Sequence, residues 1–294
     1  QIGPLNHLAD RDGPKLSEGI VTTAPGWKAM YEAWREAGWN AMRAPAQWGG
    51  QDIPGPVEAG CREIWNAASM SFGIGPSLTD CAIKALLTHA SEALKDTYVR
   101  PLVEGRWMGT MNITEPQAGS DLSGIRTRAE PAQDGTYRLF GQKIFITYGE
   151  HDLAENIVHL VLARLSDAPR GTRGLSLFLV PKFLVQADGS LGGRNDVICT
   201  GLERKLGLHG SPTCTMTFGE EGGAVGYLVG EQNRGLNCMF TMMNGARLAV
   251  GIQGVAIADR AYQQARAFAA ERVQGRSATG ETVSIDQHPD VRQT

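Results

Sequence analysis

The residues from Gly109 to Asp121 form the most specific segment of the chain. They run from a short apolar stretch into a loop, where Ala118-Gly119-Ser120 lets the backbone approach a ligand closely and offers N–H donors and one hydroxyl. A concavity of this kind suits a phosphate group or the polar edge of a ring. Composition alone also fits a simpler interpretation, an ordinary Gly-Ser turn between a strand and a loop, and favours it.

A second segment, Gln142-Lys143-Ile144-Phe145-Ile146-Thr147, has the apolar and β-branched pattern of a strand. Side chains two residues apart in a strand share a face, so the ring of Phe145 and the hydroxyl of Thr147 are expected on the same side. Taken alone, the segment indicates a plain amphipathic strand.

Two arginines in the C-terminal part could contact anionic groups. Arg247 follows Asn244 by three residues in a run of helical spacing, and a buried arginine there would need an anion or dense hydrogen bonding. A salt bridge on the helix surface explains the same spacing. Arg272 carries a planar guanidinium suited to bidentate phosphate contact, with an exposed charged helix end as the alternative.

Several kinds of site are not expected. The formal charge is −3, from 28 basic and 31 acidic residues, which argues against nucleic-acid binding. No H-E-x-x-H, C-x-x-C, P-loop or G-x-G-x-x-G motif occurs, so neither a metal site nor a Rossmann unit is expected. No apolar run is long enough to cross a membrane. Five scattered cysteines indicate reduced thiols and a cytoplasmic location.

The N-terminal part, residues 1–107, is predicted to be mainly helical and to form one domain. Apolar residues recur at three- and four-residue steps in three stretches, and the third is expected to start near capping residues. The stretches are Trp27–Ala37, 55–70 and 80–104, with Ser77, Thr79 and Asp80 as the candidate caps.

In the rest of the chain the spacing of apolar residues changes twice, first to a strand pattern and then back to a helical one. Residues 108–230 contain short β-branched runs separated by Gly, Pro and Asp, which predicts a β domain; Phe140-Gly141-Gln142 is expected to be a turn within it. From 232 to 274 a proline-free helical pattern returns, so 231–294 is expected to begin a helical domain. The predicted class is an α+β multidomain protein with a helical, a β and a second helical part.

The string Thr114-Glu-Pro-Gln-Ala-Gly-Ser-Asp121 resembles the Thr-Glu-Pro-x-Ala-Gly-Ser-Asp signature of the acyl-CoA dehydrogenase family. The helix–strand–helix order is also similar to that family's architecture. The resemblance implies an FAD site in which Thr114 bonds the isoalloxazine and Gly119 and Ser120 meet the pyrophosphate. The residues implied to bind FAD are Met111, Ile113, Thr114, Gly119, Ser120, Phe145, Ile146, Thr147 and Arg272.

Three further segments resemble the family's motifs with small departures. Lys143 to Thr147 is similar to its Lys-x-Trp-Ile-Thr strand, with Phe145 in the tryptophan position, covering one flavin face, and Thr147 pointing to flavin N5. Asn244 and Arg247 match positions that reach the acyl-CoA, as does Ser120. Arg272 matches an arginine that binds the FAD of a neighbouring subunit, which implies a homo-oligomer.

The activity implied by the resemblance is α,β-dehydrogenation of an acyl-CoA thioester, with hydride transfer to flavin N5 and an electron-transfer flavoprotein as acceptor. Some relatives place the catalytic glutamate beside the helix arginine, but Ala246 stands there; the base is therefore expected beyond Thr294, in a protein of which this chain is a fragment lacking both termini. Local features around Pro181 resemble the larger bacterial members, a branch that includes 3-(methylthio)propionyl-CoA dehydrogenases. Two alternatives stay open. One is an acyl-CoA oxidase, and the other is a non-catalytic or DNA-associated flavoprotein of the same fold.

Overall fold

Helices form most of the N-terminal third of the computed structural model, which describes residues 1–293. A short antiparallel hairpin, absent from the sequence prediction, joins the first two helices. The helices are α1 (Ile2–Asp12), α2 (Trp27–Glu36), α3 (Gly55–Ala68), α4 (Met70–His89) and α5 (Glu92–Val103), and the hairpin strands are β1 (Lys15–Ser17) and β2 (Ile20–Thr22).

The predicted start of the third helical stretch is wrong. Ser77, Thr79 and Asp80 lie inside α4, which begins at Met70 and continues through Pro76. Their polar groups have other partners: the hydroxyls of Ser77 and Thr79 donate to carbonyls four residues earlier, and Asp80 accepts from Arg62. The actual caps are Ser69 and Ser91, whose hydroxyls accept hydrogen bonds from backbone N–H groups three residues later.

The middle of the chain consists of strands, as predicted. Five of them close into a barrel in the order β5–β12–β7–β6–β4 and back to β5, with only the β4–β6 pair parallel. β11 and β10 extend the sheet from β5, and β3 pairs in parallel with β6. The strands are β3 (Trp107–Asn112), β4 (Arg128–Pro131), β5 (Tyr137–Thr147), β6 (Asn156–Leu165), β7 (Leu175–Pro181), β8 (Phe183–Val185), β9 (Leu191–Arg194), β10 (Val197–Leu202), β11 (Thr213–Phe218) and β12 (Ala224–Val229).

The expected turn at Phe140-Gly141-Gln142 is also wrong, because β5 runs through it without a break. Gly141 has a φ of 147°, and a Cβ there would lie 2.6 Å from Oγ1 of Thr127. Before Gly141 the strand pairs with β12 and β4, and from Gly141 onward it pairs with β11. The glycine therefore marks a bend at which one strand passes from the barrel to the adjoining sheet.

The C-terminal part begins with α6 (Gly235–Glu271), a helix of 37 residues. At 1.5 Å per residue it is about 55 Å long. It ends three residues before the predicted limit, since the backbone of Arg272 turns into an extended hairpin of β13 (Val273–Arg276) and β14 (Thr282–Ser284), which is followed by α7 (Pro289–Arg292). Thr294, the last residue of the predicted third domain, lies outside the described residues.

The core joins the helices to the barrel. Its largest group of buried residues contains side chains from α4, α5, β3, β6, β7 and the first third of α6. α4 approaches β3 closely because Gly109 lacks a side chain: a Cβ there would lie 2.5 Å from that of Ala82. Within the described part of the chain, no helix has the length and apolar character needed to cross a membrane.

Candidate functional site

A cleft of about 230 Å³ lies where the end of β3, the following loop and the end of β5 face α4 and α6. Seven of the nine residues predicted to bind FAD line it, although they come from two segments about thirty residues apart. They share the cleft with apolar side chains of the two helices. The lining residues are Leu78, Met111, Ile113, Thr114, Gly119, Leu122, Phe145, Ile146, Thr147 and Met243.

The loop after β3 is held by a buried carboxylate. Glu115 accepts hydrogen bonds from the backbone N–H of Arg126 at 2.7 Å and from the N–H and hydroxyl of Thr127 at 3.0 and 2.6 Å. Gln117 donates to it at 2.6 Å. The glutamate of the Thr-Glu-Pro string therefore shapes the loop from behind the cleft and does not line it.

Lys143 connects this loop to β5. Its Nζ donates to Glu115 Oε1 at 2.8 Å and to the carbonyl of Ile113 at 3.0 Å, and its side chain is 0% exposed. The N–H of Ile144 donates to the carbonyl of Thr114 at 2.9 Å. One side chain and one backbone bond thus fix the distance between the two walls of the cleft.

The two charges of this pair influence each other's protonation. Burial alone would raise the pKa of Glu115, but the nearby Lys143 ammonium and the donated hydrogen bonds outweigh it, so the pKa lies below its ordinary value. Burial lowers the pKa of Lys143 to about 8 despite the opposing attraction of Glu115. The ion pair is therefore present at neutral pH.

Phe145 reaches the cleft from a β-bulge. Cys214 of β11 pairs with Ile146 of β5, and Met216 pairs with Lys143. The pairing therefore advances two residues along β11 but three along β5. Phe145 lies in this irregular stretch with a φ of 60°, and the residue is 57% exposed. Phe145 and Thr147 both line the cleft, as expected, but Ile146 between them lines it too, so the bulge and not simple alternation directs the ring into the cleft.

Three hydroxyls at the cleft are available to a ligand. Those of Thr114 and Thr147 line the cleft, and Ser120 is exposed directly after Gly119. Across residues 1–293, none of the three side chains forms a hydrogen bond within the protein. A ligand that enters the cleft would therefore meet donors and acceptors that no protein group already occupies.

Besides Ser120, three predicted residues lie outside the cleft lining, namely Asn244, Arg247 and Arg272. Arg247 is exposed and donates to Asn244 at 3.2 Å, with its guanidinium 5.6 Å from the centre of the Phe240 ring. It forms no ion pair with a carboxylate of the described residues, so the surface salt bridge considered above is absent there. Arg272 is exposed at the end of α6 and donates to Gln274 at 3.3 and 3.2 Å.

Sequence reasoning missed three buried charged residues. It assigned no role to Glu115 or Lys143, nor to Glu150, which is buried and accepts from Lys182 and from Arg194, the latter at 3.0 Å. The available signal was a charged residue inside an otherwise apolar or motif-like segment, since such residues are rarely buried without a partner.

The comparisons with known proteins agree with this architecture. The model of the acyl-CoA dehydrogenase N-terminal domain matches residues 16–106, and that of the acyl-CoA dehydrogenase middle domain matches residues 110–220. The chain is 53% identical to 3-methylmercaptopropionyl-CoA dehydrogenase of Ruegeria pomeroyi, over 99% of this chain and 50% of that protein. It is 38% identical to a butyryl-CoA dehydrogenase of Syntrophomonas wolfei, over 98% of this chain and 49% of that protein.

A solved structure is similar over the same extent. It comes from work on the electron transferring flavoprotein of Acidaminococcus fermentans, and it matches 99% of this chain and 68% of its own with a TM-score of 0.79 and 26% identity. The chain spans about half the length of the curated relatives it matches. Together with the motifs that meet at the cleft, these matches establish that the chain belongs to the acyl-CoA dehydrogenase family.

Proposed function

We propose that the full-length protein that contains this chain is an FAD-dependent acyl-CoA dehydrogenase, which converts an acyl-CoA thioester to the trans-2-enoyl-CoA. The observation that carries the proposal is the cleft itself, at which the Thr-Glu-Pro loop and the Phe145–Thr147 segment meet. Relatives that bear acyl-CoA dehydrogenase names at 53% and 38% identity support the same activity.

The residues at the cleft fit a flavin. A large aromatic side chain is held exposed by a bulged backbone, which suits stacking on a planar ring. The hydroxyls of Thr114 and Thr147 are free to bond polar ring atoms. Gly119 places no side chain at the edge of the cleft, where a Cβ would make an ordinary van der Waals contact with the methyl group of Thr114 at 3.4 Å.

Each part of this site has a separate task. Phe145 would cover one flavin face, while Met111, Ile113 and Ile146 provide the apolar surroundings that exclude water. The backbone and hydroxyl at Gly119 and Ser120 would receive the pyrophosphate. When bound, FAD supplies the redox chemistry of the reaction, and the protein supplies orientation and electrostatics.

The substrate would enter from the side of α6. Met243 lines the cleft, and Asn244 and Arg247 follow it on the exposed face of the same helix. The guanidinium of Arg247 has no carboxylate partner within the described part of the chain, so it can bind the anionic CoA. Among the described residues that line the cleft, none carries a carboxylate. We therefore assign removal of the α proton to a glutamate in the part of the protein that follows Thr294.

The proposal includes partners and location. Arg272 would contact the FAD of a neighbouring copy, since it is exposed and, among residues 1–293, its guanidinium bonds only the amide oxygen of Gln274. We therefore propose a homo-oligomer. An electron-transfer flavoprotein is the proposed electron acceptor. The five free thiols support the expected cytoplasmic location.

Anaerobic absorbance of the purified full-length protein tests the function. We expect bound flavin, and bleaching of its oxidised bands when one class of acyl-CoA is added. Flavin that no acyl-CoA reduces would contradict the dehydrogenase assignment, and absence of flavin would contradict the cleft assignment. Stoichiometric peroxide during aerobic turnover would identify an oxidase instead.

A further inference from the structure

Tyr148 directly follows the last residue of β5 that lines the cleft, and its backbone conformation is unusual for its type. The N–H of Gly149 donates to the carbonyl of Ile146 at 3.2 Å, which closes a turn with Thr147 and Tyr148 at its centre. The φ of Tyr148 is 54°. Glycine or asparagine is the usual residue where a turn needs a positive φ, and a bulky side chain is rare there. A strained residue next to a binding cleft points to a functional contribution of its side chain.

The side chain of Tyr148 connects the end of β5 to α4. Its hydroxyl donates to the carbonyl of Ser71, in the first turn of α4, at 2.8 Å. The residue is 1% exposed, and its ring lies against Gly75 of the same helix, where a Cβ would approach two ring carbons to 3.1 Å. Burial raises the pKa of the phenol well above its ordinary value, so the hydroxyl keeps its proton and remains a donor at neutral pH.

Both ends of this connection lead to the cleft. On β5, the hydroxyl of Thr147 lines the cleft and has no partner in the described part of the chain. On α4, Leu78 lines the cleft about two turns after Ser71. The backbone of Tyr148 is fixed as well, since its N–H donates to the carbonyl of Pro212 at 2.8 Å. One tyrosine therefore holds two walls of the cleft in a defined relation.

We propose that Tyr148 is a positioning residue for Thr147: its hydrogen bond to Ser71 holds the Thr147 hydroxyl in the orientation that meets the flavin during hydride transfer. The inference rests on the proposed function and adds a residue that does not itself line the cleft. Its contribution is orientation, to which transfer rates are sensitive at sub-ångström scale. A ring that only filled the core would contribute stability and leave the chemical step unchanged.

The test measures reduction of the bound flavin in the full-length holoenzyme by stopped-flow absorbance without oxygen. The substrate is whichever of butyryl-CoA, 3-methylmercaptopropionyl-CoA and octanoyl-CoA reduces the wild-type flavin fastest. Tyr148→Phe keeps the ring and the backbone preference and removes only the hydroxyl. We expect the limiting rate constant of reduction to fall about tenfold, because misplacement of a group that acts in hydride transfer raises the barrier. The acyl-CoA concentration at half-maximal rate should stay within about twofold of the wild-type value.

A matched tyrosine separates positioning from lost packing. Tyr31 belongs to the same group of buried side chains and donates to the carbonyl of Gly105 at 2.9 Å, but neither of these two residues lines the cleft. Tyr31→Phe should therefore keep the rate constant within about twofold of the wild-type value. The absorption maximum of the bound flavin is a second readout, independent of turnover. Tyr148→Phe should shift it in the same direction as Thr147→Val, and Tyr31→Phe should not shift it.

A double-mutant cycle tests whether Tyr148 acts through Thr147. In the Thr147→Val background the hydroxyl to be positioned is gone, so the addition of Tyr148→Phe should change the rate constant by less than about twofold. A further loss of about tenfold in the double variant would show independent action and overturn the inference alone. So would a Tyr148→Phe enzyme that behaves like Tyr31→Phe. Wild-type flavin that none of the three thioesters reduces would overturn the proposed function and the inference with it.

Discussion

Lys143 and Glu115 join the two segments that line the cleft. Both side chains are almost fully buried, so each charge has exchanged water for the other and for backbone partners. A buried pair of this kind adds little net stability compared with apolar residues, but the loss of one partner leaves the other charge uncompensated. The pair therefore makes the geometry of the cleft sensitive to either residue.

Lys143→Met should lower the free energy of unfolding by about 3–5 kcal/mol and reduce flavin content, because Glu115 would remain buried without its cation. Urea denaturation and flavin absorbance measure the two effects. Lys143→Met combined with Glu115→Gln should recover part of the stability. Lys95→Met is the control: Lys95 pairs with an exposed carboxylate, and its loss should change stability by less than about 1 kcal/mol. An effect of Lys143→Met no larger than that of the control would contradict this role.

Phe145 combines an exposed ring with a backbone conformation that suits glycine. At the φ of 60° found here, a protein with any residue that carries a Cβ is less stable than one with glycine by about 1–2 kcal/mol. At an ordinary strand position glycine has no such advantage. Phe145→Gly should therefore be more stable than Phe145→Ala by about 1 kcal/mol. Both variants should bind FAD at least tenfold more weakly than the wild type. Thermal unfolding of the apoproteins and flavin titration provide the readouts; a more stable alanine variant would show that the bulge is not strained.

The strand β5 serves two structures in succession. Its first residues complete the barrel, Gly141 bends it, and its last residues form a wall of the cleft through a bulge. The bend also places Gly141 against Thr127, whose hydroxyl donates to Glu115. The position of the cleft therefore depends on a glycine that does not line it.

Gly141→Ala should destabilise the protein by about 1–3 kcal/mol, since the added methyl group overlaps Thr127 and the φ of 147° disfavours any side chain. Displacement of Thr127 should also weaken FAD binding. Gly193→Ala, in β9, is the matched control because its Cβ would meet no atom within 4 Å. Denaturant titration and flavin content distinguish the two; equal stability of both variants would argue against the bend as a constraint.

On the scale of the whole molecule, the β domain encloses titratable groups. His151 and His159 are fully buried, and burial, together with the nearby positive charge of Lys182, lowers the pKa of each to about 3. In the unfolded chain both would regain an ordinary pKa near 6.5. As the pH falls below about 6.5, the unfolded state binds these protons first, so acid progressively favours unfolding.

Between pH 7 and pH 5, each buried histidine should reduce the free energy of unfolding by about 2 kcal/mol. His159→Phe should remove roughly half of this pH dependence, whatever its effect on stability at neutral pH. The exposed His7 offers a control, because His7→Gln removes a histidine without altering a buried site. Urea midpoints measured at several pH values test the prediction; a slope in His159→Phe equal to that of the wild type would contradict it.

The sequence predicted the helix–strand–helix order and most of the cleft, because the spacing of apolar residues and a long motif can both be read from neighbouring residues. It failed where a distant residue decides the local structure. Serine and aspartate are common helix caps, but Ser77 and Asp80 lie within α4. Arg62 of the preceding helix donates hydrogen bonds to both. Glycine is a common turn residue, but at Gly141 the strand continues and bends as it leaves the barrel. The domain limits at 107/108 and 230/231, and the roles assigned to single residues, stay predictions.

The length of α6 has a consequence for amide hydrogen exchange. Its buried residues end at Ala256, about three fifths of the way along, and the residues beyond are mostly exposed. Exchange should therefore be slow in the first part of the helix and fast in the second, although the hydrogen bonds are continuous. Protection of the second part should appear only when another surface covers it. A single helix would then report folding of this chain at one end and assembly at the other.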